Sequence, residues 1–163
     1  MDTKTLEALI REELAHAGRT KESTDNVILS AAKRISEAVE ARAAEMGVKA
    51  VVAISDRAAR PVLVHVMEDA YIASYDVALQ KAYTVVALKM STADLKPLAQ
   101  PGGSLYGIQF TNQGQIVIFG GGEPLRIGDR VIGGIGVSGG TEEQDSALAA
   151  YGAACFASLA GLI

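Results

Sequence analysis

Leu6, Leu9, Ile10 and Leu14 recur at helical spacing, with Glu7, Arg11 and Glu12 on the opposite side and Gly18 ending the pattern. This predicts a short amphipathic helix over residues 3–17. The polar stretch GRTKESTDN at 18–26 follows as a linker, with Ser23, Thr24 or Asp25 available as an N-cap. Ile28, Ala31, Ala32, Ile35, Val39 and Ala43 then form one stripe, predicting a long helix over 27–46 that Gly47 closes. Beyond Gly47 the period becomes extended. AVVAI at 50–54 and PVLVHVM at 61–67, joined by SDRAARP, predict a hairpin whose strands are apolar on both faces, hence a sheet covered on both sides. An Ala-rich helix is predicted over 70–90, then a short extra turn opened by Ser91 or Thr92 and ended by Pro97 and Pro101.

The last third is punctuated by glycine. SLYGIQF, GQIVIFGGG, EPLRIGD and RVIGGIGVSGG read as three or four short strands with tight turns, and 141–162 as a closing helix. The order α-α-β-β-α-β-β-β-α joins consecutive strands by short turns, which makes them antiparallel. The expected architecture is α+β, with an antiparallel sheet of about five strands sandwiched between helices. The expected organisation is residues 1–20 as an amphipathic helix with the start of a linker, and 21–163 as a single domain.

Composition narrows the function. At 163 residues with 49% hydrophobic and 21% charged side chains, the chain can bury about 70% of its unfolded surface in one core. Fifteen Lys and Arg against nineteen Asp and Glu give a net charge of -4, with no basic run suited to a row of phosphates, so nucleic acid is not an expected partner. One cysteine, Cys155, and two histidines cannot make an internal disulfide or a Cys/His zinc site. The N-terminus is too charged for a signal peptide and no window reaches the ~20 apolar residues of a membrane span, so a cytoplasmic setting is expected.

Two motifs look chemical and fail on context. Gly134, Gly136 and Gly139 spell G-x-G-x-x-G before a helix, but no second strand ending in an acidic residue follows, and Glu142 and Glu143 would repel a phosphate at that helix start. Glycines for tight turns and close packing are the favoured reading. Gly136 to Gly140 also fits G-x-S-x-G around Ser138, yet no histidine follows His65, so the chain order of that hydrolase elbow is not available. Thr141 and Gln144 instead fit a capping box.

The segment FGGGEPLRIGDRVIGGIGVSGGTEEQD resembles the GlcG/HbpS/PduO C-terminal family, through its Gly121-Gly122-Glu123-Pro124 turn and the run from Gly128 to Asp145. The match extends back through Met67-Glu68-Asp69-Ala70, the A-x-x-K-A step from Ala78 to Ala82, and Met90-Ser91-Thr92, covering about 27–160. QPGGSLYGIQ and IVIFGGG look most like the PduO-type domain. The resemblance implies a profilin-like fold, homo-oligomeric assembly and, as in several relatives, heme as cofactor. The PduO-type domain is fused elsewhere to a corrinoid adenosyltransferase. The family often has an arginine near Met-x-x-Ala, where this chain has Val66.

Heme iron takes an axial His, Met, Cys or Tyr, which makes His65 and His16 the candidate iron ligands. Strand alternation puts Leu63, His65 and Met67 on one face, so Met67 joins the candidate cofactor-binding residues. His16 flanks the apolar stripe of the first helix, where a histidine also suits the helix C-terminus. Three functions stay open. The first is a heme- or tetrapyrrole-binding accessory protein of a diol or corrinoid-linked pathway. The second is an enzyme on a small polar metabolite at the glycine-rich turns, with Ser138, Glu123 and Asp145. The third is a scaffold that uses its first helix to reach a bacterial microcompartment shell or an enzyme partner.

Overall fold

The computed structural model describes residue 27 and residues 29–160. The predicted helix at 3–17, with His16, and the N-cap at 23–25 lie outside the described residues. Eight main elements follow: α1 (Leu29–Glu45), β1 (Val51–Asp56), β2 (Pro61–Val66), α2 (Ile72–Leu88), α3 (Thr92–Leu98), β3 (Gly122–Ile127), β4 (Arg130–Ser138) and α4 (Glu142–Ala160). The strands form one antiparallel sheet in the order β2-β1-β4-β3. β1 is interior and almost wholly buried, as its unbroken apolar run requires.

Each face of the sheet carries a helical layer. On one face Ile35, Val39 and Ala43 of α1 and Leu148 and Phe156 of α4 pack on Val52, Ile54, Ile135 and Val137. On the other, Ala78 and Ala82 of α2 pack on Val51 and Ala53. The architecture is α+β, an antiparallel sheet between helices, with four strands among the described residues rather than about five.

The missing strands have a local cause. SLYGIQF and the residues on either side of it form turns and 3₁₀ segments, Ile108–Phe110 and Asn112–Gly114, with Gly102, Gly107, Asn112, Gln113 and Gly114 all at positive φ. A strand cannot run through such a series. Ile116 and Val117 of IVIF are buried, but the Val117 amide donates to the Thr84 hydroxyl of α2 at 3.0 Å. That hydroxyl also donates to the Gln80 carbonyl at 2.7 Å. A side chain thus supplies the partner that a neighbouring strand would have offered.

Helix ends follow the expected chemistry. Gly47 sits at φ +70 just after α1, the left-handed position that stops a helix. At α4 the Gln144 amide donates to the Thr141 hydroxyl at 3.2 Å, while the Thr141 amide donates to the Gln144 side-chain oxygen at 2.9 Å, a reciprocal capping box. Gly134 and Gly136 point at α2, which rests almost on the strand backbone there.

Candidate functional site

Two polar arrangements stand out. The first lies at the sheet margin, where β2 is the edge strand. His65 pairs in register with Val52, whose side chain packs in the α1 and α4 layer, so His65 faces α1. Its Nδ1 lies 2.5 Å from a Glu40 carboxylate oxygen, with both side chains about a third exposed. Met67 shares this face and packs against the same core. Its sulfur accepts from the Ala50 amide at 3.3 Å, while its own amide donates to the Ala50 carbonyl at 3.0 Å. The shared face follows from strand alternation, but nothing in the sequence named Glu40, which the topology brings from 25 residues away.

The second arrangement is buried. Lys81 of α2 is fully enclosed, and its ammonium donates to the Val137 carbonyl at 2.8 Å and to Asp145 at 3.0 Å. The Phe119 ring lies 5.0 Å from Nζ, within cation–π range. The other Asp145 oxygen accepts from the Gly140 amide at 2.8 Å. Burial lowers the Lys81 pKa and Asp145 partly restores it. Burial likewise raises the Asp145 pKa, with Lys81 acting against it. Glycine is required beside this pair: Gly121 has φ +111, and a Cβ on it would fall 2.5 Å from Lys81 Nζ.

Two of the three polar groups proposed for chemistry at these turns, Ser138 and Asp145, are already occupied. Ser138 is buried and its hydroxyl donates to Ser74 at 3.1 Å. Asp145 is bound to Lys81. Glu123 on β3 is half-buried, and its pKa is raised by burial and then by Asp94. Among the described residues no group of three His, Cys, Asp or Glu could hold a metal ion, and no helix is long and apolar enough to cross a membrane.

Glu142, in the first turn of α4, accepts from Lys96 Nζ at 2.6 Å and from the Gly120 amide at 2.9 Å. The Lys96 hydrogen bond, followed by that of Gly120, lowers its pKa below 4.5. Its contribution to stability is therefore full above pH 4.5 and lost as pH falls through the folded value. Glu142→Gln is expected to melt earlier than the parent at neutral pH and to converge with it in acid. A gap in melting temperature that stays constant through the acid range would refute the assignment.

The family described as Haem degrading protein HbpS-like matches residues 27–154. The chain belongs to the HbpS-like family. Among relatives, an uncharacterized 15.0 kDa protein from the dhaT-dhaS intergenic region of Citrobacter freundii is 47% identical over 133 residues, covering 82% of this chain and 94% of that protein. The corrinoid adenosyltransferase PduO of Citrobacter freundii is 36% identical over 80% of this chain, but the match spans only 39% of that longer protein. In structure, the HbpS-like fold seen here superposes on the PduOC:heme complex with a TM-score of 0.76 at 36% identity, covering 79% of this chain and 94% of that one.

Proposed function

We propose that this chain binds heme or a closely related tetrapyrrole, as an accessory protein of a diol- or corrinoid-linked degradative pathway, and that His65 is an iron ligand. The observation that carries the reading is the similarity, in both sequence and fold, to a protein crystallised as a heme complex. The chemistry of His65 fits the group. A carboxylate on Nδ1 favours the tautomer with the proton there, leaving the Nε2 lone pair available for a metal. Met67 belongs to the wall of such a site rather than to its ligands, because its sulfur is held by the Ala50 amide. His16 is the second candidate ligand. Bound heme would supply an iron with redox and exchangeable-ligand chemistry. The same reading includes homo-oligomeric assembly and association with a bacterial microcompartment through residues 1–20.

The test is a hemin titration followed in the Soret region. Saturable binding at fixed stoichiometry is expected, with His65→Ala abolishing the ligand-field signature and Glu40→Gln weakening affinity about tenfold or more. Unchanged spectra in both His65→Ala and His16→Ala would eliminate histidine ligation. A featureless, unsaturable titration would eliminate the tetrapyrrole reading as a whole.

A further inference from the structure

The fold gathers cations that the sequence scatters. Arg57 lies in the β1–β2 turn, Lys89 at the C-cap of α2, Arg126 on β3 and Arg130 at the start of β4. Together with Asp129, Val131 and Ile132 they line one open groove of about 380 Å³. That is four cationic side chains against one carboxylate, on a chain whose net charge is -4. The volume falls within the range of small-molecule sites, roughly 300–1,000 Å³.

Local geometry builds this groove. The β1–β2 ladder shifts register between Ile54 and Ser55, and the β3–β4 ladder between Leu125 and Arg126. Asp56 pairs with Gly133, so both shifts fall at the same end of the sheet. Bulges of this kind bend strands and re-aim side chains at sheet margins. Arg126 is further fixed by donating to the Lys89 carbonyl at 2.7 Å and the Asp129 carbonyl at 3.3 Å. The first of these covers a carbonyl at the negative end of α2. A guanidinium carries five N–H donors, so these two bonds leave others for a ligand. Asp129 in the groove and Glu123, which interacts electrostatically with Arg126, are charges that oppose an anion there.

We infer that this groove binds a small molecule carrying a phosphate monoester or a diphosphate. Guanidinium groups match phosphate oxygens in pairs. A monoester carries about 1.5 to 2 negative charges near neutral pH, which suits several cations better than a single carboxylate does. Val131 and Ile132 offer an apolar wall to the organic part. Among the described residues no His, Met, Cys or Tyr lines the groove, so the site stands apart from His65 and does not depend on the heme reading.

Isothermal titration calorimetry with pyrophosphate, phenyl phosphate, inorganic phosphate and citrate tests this at about 0.15 M salt, where the Debye length is about 8 Å and diffuse attraction is screened. Saturable binding of pyrophosphate or phenyl phosphate at one per chain is expected, weakened about tenfold or more in Arg130→Gln. Asp129→Asn is expected to tighten it, since the change removes the opposing carboxylate while keeping the carbonyl that Arg126 uses. A gain of affinity cannot come from misfolding, so this variant protects the test. Phenyl phosphate binding more tightly than inorganic phosphate would mark an organic ester as the natural class, and pyrophosphate binding most tightly a diphosphate. No saturable binding, citrate binding as tightly as the phosphates, or affinities that neither variant moves would overturn the inference.

Discussion

Gly136→Ala is expected to destabilise the protein by about 3 kcal/mol or more, as overpacking against an immovable neighbour does. A Cβ at this position would lie 2.1 Å from the Ala78 carbonyl oxygen and 2.6 Å from the Ala82 amide nitrogen. Both atoms belong to the backbone of α2, so no rotamer change can relieve the clash. Either the helix lifts from the sheet or β4 moves away from β1, and each separates buried surfaces. For a chain of this size the cost corresponds to a fall in melting temperature of roughly 6–12 °C. Gly128→Ala is the matched control. A Cβ there meets nothing within 4 Å, and only the positive φ of +57 opposes it, so a loss of about 1 kcal/mol is expected. Thermal or denaturant unfolding of the two variants separates crowding from backbone strain. Equal, small losses would mean that α2 does not rest on β4 as described.

Gly136 also explains why the G-x-G-x-x-G pattern was legible as packing without a nucleotide. Gly134 and Gly136 fall two apart on one strand, so both face α2, where Ala78 and Ala82 occupy the facing turns. The sequence displays this as small residues on both partners. The helices among the described residues, the β1–β2 hairpin and the capping box were equally readable, because each rests on local periodicity or on spacing within a few residues. SLYGIQF and IVIF were misread because composition cannot reveal five left-handed backbone positions, nor a threonine hydroxyl standing in for a strand. Of the candidate site, alternation placed His65 and Met67 on one face. Glu40, the partnership of Lys81 with Asp145, and the four cations of the groove are products of topology and have no local signal.

The glycine-rich turns meet at the Lys81–Asp145 pair, and breaking it from the acid side is expected to cost about 3–5 kcal/mol, because an uncompensated charge stays buried. In Asp145→Ala the enclosed ammonium would keep the Val137 carbonyl, the Phe119 ring and the weaker attraction of Glu142. Lys81→Met should cost less, since Asp145 retains the Gly140 amide. Removing both charges, in Lys81→Met/Asp145→Leu, should recover much of the loss, a non-additivity that a double-mutant cycle reads directly. The pH dependence has a fixed sign. Burial already lowers the Lys81 pKa below 10.5, and loss of Asp145 removes its two leading opposing influences. Between the folded value and 10.5 the unfolded chain binds the proton that the folded chain has lost, so stability rises with pH. The deficit of Asp145→Ala relative to the parent should therefore shrink in denaturant unfolding as pH rises toward 10.5. A deficit independent of pH would mean that Lys81 is not the stranded charge. Additive losses in the cycle would mean that the turns at Gly121 and Gly140 are held by packing alone.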